Sequence, residues 1–174
     1  WIIHTSGTTG LPKGACLTHR SLLAAVLNTA MARALADDDV YLFPFPLFHV
    51  AAYNVIHAHL RGRPVVLVAR FDAAEVAALI ERHRVTNISL APTMIAMLLD
   101  HPAARRHDLS SLRVVAYGAS AIHLPLLRRG LDELGCGFAQ GYGMTELSGN
   151  AVFLTPDDHR RAAADRPDLL TAAG

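Results

Sequence analysis

Short apolar runs alternate with segments of helical period along most of this sequence, and that alternation leaves few folds open to it. VYLF at 40–43, VVLV at 65–68, NISL at 87–90, VVAY at 114–117 and GFAQ at 137–140 are too short for helices and read as strands. Between them, Thr18 offers an N-cap to a helix carrying Leu22, Leu23, Val26, Ala30 and Leu35. The acidic run 37–39 should stop that helix, since acids at a C-terminus oppose the dipole. A second helix is expected over about 51–61, closed by Gly62. Asp72 should cap a helix bearing Val76, Leu79, Ile80 and His83, another follows Pro92, and Leu124-Pro125 opens one reaching about Leu134. Strands apolar on both faces and separated by helices predict an α/β fold: a mainly parallel sheet with helices on both faces.

Composition narrows the partners. The chain has 174 residues, of which 52% are hydrophobic, enough for one cored domain. Sixteen basic against fifteen acidic residues give a net charge of +1, scattered without a basic stripe, which argues against a nucleic-acid or membrane-surface partner. No apolar run approaches the roughly 20 residues that span a bilayer. Cys16 and Cys136 stand far apart without a metal or redox spacing, which suits a reducing, cytoplasmic setting. WIIH at the start has neither an initiator Met nor a signal-peptide flank and reads as a strand already under way, so the chain is expected to begin inside a larger protein. The motifs fall within 1–159; the Ala/Asp/Pro-rich stretch 160–174 is expected to be poorly ordered.

In parallel sheets ligands gather at the carboxyl ends of strands. Three turns lie there: HTSGTTGLPKG after the first apolar residues, YGAS after VVAY, and GYGMTE after GFAQ. In the first, glycines bring backbone amides close to an anion, hydroxyls add donors, and Lys13 adds charge, as a polyphosphate requires. Its composition also fits a surface turn. A Walker A loop is ruled out, because Pro12 precedes Lys13 and Gly14 follows it where that motif needs Gly and a hydroxyl. Taken singly, Tyr142 reads as a core aromatic and Glu146 as a solvated acid. His57 and His59 are two apart, with no cysteine nearby, which is not a zinc spacing.

TSGTTGLPKG at 5–14, the following THR at 18–20 and QGYGMTE at 140–146 resemble, in this order, the signature motifs of adenylate-forming enzymes. PLFHVAAYN and YGASAI resemble the acyl-pocket segments of the acyl-CoA synthetase, or fatty-acid-CoA ligase, branch. The resemblance implies ATP and Mg2+ as cofactors, a carboxylic acid as substrate and coenzyme A as cosubstrate. It places Thr5, Ser6, Gly7, Thr8, Thr9 and Lys13 over the β- and γ-phosphates, Thr145 at the α-phosphate and Glu146 at magnesium. Tyr142 would stack on adenine beside Gln140 and Gly141, with Gly118 and Ala119 as the facing wall. His49, Val50, Gly118, Ala119, Ser120, Gly143 and Met144 would meet the acid.

Amino-acid-activating members of the family place an Asp in the segment matching PLFHV, and none occurs there; Asp72 is explained by capping. The small, apolar walls around 117–122 and Met144 favour a fatty acid, with aryl-propenoic acids second. Gly118-Ala119-Ser120-Ala121 departs from the Gly-Gly-Ala-Pro pattern of many members, which leaves the pocket outline open there. The family's ribose-binding Asp, hinge Arg and catalytic Lys of a C-terminal domain find no match in this chain, so the resemblance implies that residues 1–174 are a central fragment of the large AMP-binding N-terminal domain. The piece alone is therefore expected to be inactive. A non-catalytic nucleotide-binding module and a peptide-synthetase adenylation domain remain the alternative readings.

Overall fold

The computed structural model describes residues 1–5 and 10–173. An antiparallel hairpin opens the chain, β1 (Ile2–Thr5) pairing with β2 (Lys13–Cys16) in the register Thr5 to Lys13. Then come α1 (His19–Ala32), β3 (Tyr41–Phe43), α2 (Tyr53–Leu60), β4 (Val65–Leu67), α3 (Ala73–His83), β5 (Asn87–Leu90), α4 (Pro92–Asp100), β6 (Val114–Tyr117), α5 (Leu124–Leu134), β7 (Gly137–Met144), β8 (Gly149–Leu154) and α6 (Pro156–Ala164). The main sheet has the order β4-β3-β5-β6-β7-β8; every pairing is parallel except that of β7 with β8. This is the expected α/β architecture.

Local signals explain most boundaries. Thr18 accepts from the Ser21 amide at 3.0 Å and Ser21 reciprocates on the Thr18 amide, a capping box that starts α1. Asp72 accepts from the Glu75 amide at 2.9 Å and starts α3. Gly135, at φ 62°, ends α5.

Four expectations change. First, α1 ends at Ala32, ahead of the acids. Asp39 is buried instead, accepting from the Ala36 amide, the Thr86 hydroxyl and Arg113. Arg113 also holds the Asp38 carboxyl down to about 2. These acids tie the α1–β3 loop to the start of β6 rather than merely stopping a helix. Second, 65–68 reads as a strand apolar on both faces, as a buried strand would be, but β4 is the sheet edge and Leu67 is exposed. Third, β7 runs past Gln140 through GYGM and is covered by an antiparallel strand, β8. Fourth, the stretch from 160 is packed: α6 is capped by Thr155, and Ala162 and Leu170 are buried in the main core.

The two faces of the sheet differ in side-chain size. One face buries Leu42, Ile88, Leu90, Val115, Tyr117 and Phe138 against α3, α4, α5 and α6. The other carries Tyr41 and Phe43 at the β3 end, packed with α2, and α1 packs outside α2 through Val26 and Tyr53. On this second face, towards the carboxyl ends of the central strands, lie Ser89, Ala116, Ala139 and Gly141. Small residues at those positions cannot fill the gap to the helices, and a cavity results.

Candidate functional site

That cavity encloses about 440 Å³ at the carboxyl ends of β5, β6 and β7. Ser89, Ala116, Ala139 and Gly141 form its floor, and α2 with the 45–52 segment forms its roof. Of the residues expected in a site, it brings together Thr5, His49, Val50, Gly118, Ala119, Gln140, Gly141, Gly143, Met144, Thr145 and Glu146. Lys13, Ser120 and Tyr142 do not line it. Lys13 is exposed at the base of the hairpin, where its carbonyl faces the Thr5 hydroxyl at 3.4 Å. Tyr142 points outward and is 46% exposed, so it is neither a core aromatic nor a wall of this cavity. Ser6, Gly7, Thr8 and Thr9 lie outside the described residues.

The site is held from behind by polar contacts. The Tyr117 hydroxyl lies 3.2 Å from the Gln140 amide and 2.8 Å from His159 Nε2, and His159 Nδ1 meets the Thr155 carbonyl at 2.8 Å. Burial holds His159 below the usual histidine value, so it is a neutral strut linking α6 to the site. On the other side Ser148, in a left-handed conformation after the Thr145–Leu147 turn, donates to the Ser21 hydroxyl at 2.8 Å. The cap of α1 and the turn bearing Thr145 and Glu146 are thus one assembly. Gly118 is also required, since a Cβ there would meet the Gly141 carbonyl at 2.9 Å.

Charge is sparse. Glu146 is the one carboxylate among the described lining residues, exposed and with no salt bridge to a described residue. His49 caps the short turn Val50–Ala52: its Nδ1 accepts from the Ala51 amide at 3.1 Å, leaving the ring hydrogen on Nε2. Partial desolvation lowers its pKa, favouring the neutral ring. Arg33, Tyr53, Asn54, Asn150 and Phe153 also line the cavity. Tyr53 and Asn54 fall in the PLFHVAAYN segment, whereas no motif marks Arg33, Asn150 or Phe153, whose only signal in the sequence is a polar or aromatic residue interrupting a helical or strand face.

His57, beneath this wall, gives a pH prediction. It is 1% exposed, its Nε2 has no hydrogen-bond partner, and burial, then the Arg33 and Arg61 cations, hold its pKa down to about 4. The unfolded ring protonates near 6.5, so between these values the unfolded state binds the extra proton and stability falls as pH drops. The loss approaches about 3 kcal/mol near pH 4 and levels off below. Comparing denaturant midpoints of His57→Phe and wild type across pH 4–7 should show a flatter profile for the variant; parallel profiles would contradict the assignment.

The model of the AMP-binding enzyme family matches residues 1–169. A feruloyl-CoA synthase from Amycolatopsis sp. is 40% identical over 88% of this chain and 31% of its own length. The medium/long-chain-fatty-acid--CoA ligase FadD8 of Mycobacterium tuberculosis is 36% identical over 97% of this chain and 30% of its own. The chain thus spans about a third of the length of such relatives. Among solved structures, the inhibitor-bound N-terminal domain of FACL13 from M. tuberculosis superposes with a TM-score of 0.86 at 32% identity, covering 93% of this chain and 41% of that one. The o-succinylbenzoate coenzyme A synthetase of Bacillus subtilis, in complex with ATP and magnesium ion, gives 0.80 at 34%, covering 90% and 32%. With a cavity assembled from the signature motifs and a family match over nearly its whole length, this chain belongs to the AMP-binding, adenylate-forming enzymes.

Proposed function

We propose that the whole protein carrying this chain activates a carboxylic acid, a fatty acid in the first instance, and transfers it to coenzyme A. In the first step a carboxylate oxygen of the acid attacks the α-phosphorus of ATP, the bond to pyrophosphate breaks, and an acyl-adenylate remains. In the second, the coenzyme A thiol attacks the acyl carbonyl, loses its proton, and AMP departs. The observation that carries this reading is the convergence on one cavity of Thr5, His49, Gly118, Thr145 and Glu146 from separate parts of the chain.

Each group has a task that its position supports. The small floor residues leave room for an acyl chain, and the absence of an acid other than Glu146 among the described lining residues disfavours an amino-acid ammonium. His49, neutral with its hydrogen on Nε2, is suited to donating to the acyl oxygen. Thr145 would donate to the α-phosphate, with Thr5, the loop 6–9 and Lys13 serving the leaving pyrophosphate. Tyr142, exposed beside the cavity, offers its ring to adenine. Glu146 fits magnesium, which takes one carboxylate together with substrate phosphates and, when bound, supplies neutralising charge. The groups mainly position reactants and offset charge.

The acid class is tested by incubating the whole protein with ATP, coenzyme A and a panel of straight-chain and aryl-propenoic acids, reading thioesters by mass spectrometry. Turnover of straight-chain acids is expected; turnover of aryl acids alone would contradict the fatty-acid reading. Ala139→Leu, which fills the floor, should lower kcat/KM for the longest acids used by about tenfold or more while leaving short ones within about threefold.

A further inference from the structure

Arg33 is the one Lys or Arg among the described residues lining the cavity, and no described carboxylate pairs with it. It follows the last turn of α1, with its guanidinium 5.9 Å from the centre of the Tyr41 ring on β3. One of its nitrogens donates to Asn54 Oδ1 at 2.8 Å, and the Asn54 amide is in turn fixed by donating to the Ala51 carbonyl at 3.0 Å. Its Nε is buried with no hydrogen-bond partner. The remaining neighbours are neutral: the Tyr41 and Tyr53 phenols, whose pKa values burial raises, and His57, whose pKa is lowered.

Partly buried among neutral groups, with its Nε unpartnered, this cation is stabilised by an anion that meets it. Guanidinium presents five donors in a planar fork, and only one is used on the protein here. Asn54 and Tyr41 hold that fork at the β3 side of the cavity, whereas Thr145 and Glu146 follow β7. β3 and β7 are separated by β5 and β6, hence by three strand spacings, on the order of 14 Å across the sheet. The cavity therefore has a reacting end and, across the small-residue floor, a cationic end.

We propose that Arg33 receives a second oxyanion at the far end of the substrate, so that the preferred acids carry a distal anionic group, as in α,ω-dicarboxylic acids activated at one end. This deepens the acid-activation reading above and rests on it.

The test compares straight-chain monoacids with dicarboxylic acids of the same carbon number, using acid-dependent pyrophosphate exchange in the whole protein. Wild type should favour the diacid at one or more chain lengths. Arg33→Met should lower diacid kcat/KM by about 10–100-fold while leaving monoacids within about threefold, and Arg33→Lys should recover part of the loss. Monoacids preferred at every length, or equal losses for both acids in Arg33→Met, would overturn the proposal and leave acid activation standing. If Arg33→Met does not fold, the wild-type preference decides by itself. Exchange with no acid of either kind would remove the acid-activation reading and this proposal with it, a result distinct from monoacid-only exchange.

Discussion

Replacing Glu146 with Gln should lower acid-dependent pyrophosphate exchange by about 10²–10³-fold, with the unfolding midpoint unchanged. The side chain is exposed and has no salt bridge to a described residue, so its removal leaves no buried group unpaired and stability should stay within about 0.5 kcal/mol. The substitution keeps shape and removes charge alone. If the carboxylate holds magnesium, the variant should need more of the ion to reach half its maximal rate, and raising magnesium should recover part of the activity. Steady-state exchange across a magnesium titration separates these effects. A variant within about threefold of wild type at every magnesium level would return Glu146 to an ordinary solvated acid.

Replacing Gly143 with Ala should disrupt the site by a different route. Gly143 sits at the register shift between β7 and β8, where a Cβ would run into the Gly149 carbonyl and lie 2.7 Å from Asn150 Cα. Both obstacles are backbone rather than the movable end of a side chain. Neither strand can yield cheaply, so about 3 kcal/mol or more of stability should be lost. Thr145 and Glu146 begin two residues later, so exchange should fall together with the unfolding midpoint, in contrast to Glu146→Gln. Val152→Ala, on the exposed side of the same hairpin, should change stability by less than about 0.5 kcal/mol. A Gly143→Ala protein as stable as wild type would show that the hairpin can open there.

The contrast between these two residues shows what the sequence carries. Hydrophobic period and caps marked the elements whose burial is decided locally: Thr18 and Asp72 start their helices, and NISL and VVAY are strands over the stretches expected. Contacts made only on folding were hidden. Asp39 looked like a helix stop because its partners Thr86 and Arg113 are distant in sequence. The β8 strand and α6 were missed because GNAVFL and the charged stretch after it lack a strong period, and their stability comes from β7 and the core. The cavity floor was invisible for a simpler reason. Ser89, Ala116, Ala139 and Gly141 are ordinary in strands, and only the register that sets them side by side turns four small residues into a space. The motif residues around that space were legible because their composition is unusual. Arg33 was not, since one polar residue on a helix looks like any solvated residue.

Radiolabel exchange between pyrophosphate and ATP in the whole protein, with and without added carboxylic acid, is the most direct test of the central account. Exchange should depend strictly on the acid and on magnesium, and coenzyme A should divert the adenylate to a thioester. Tight binding of ATP by calorimetry with no exchange for any acid would contradict the account and leave a nucleotide-binding module; exchange supported by amino acids alone would contradict it from the other side.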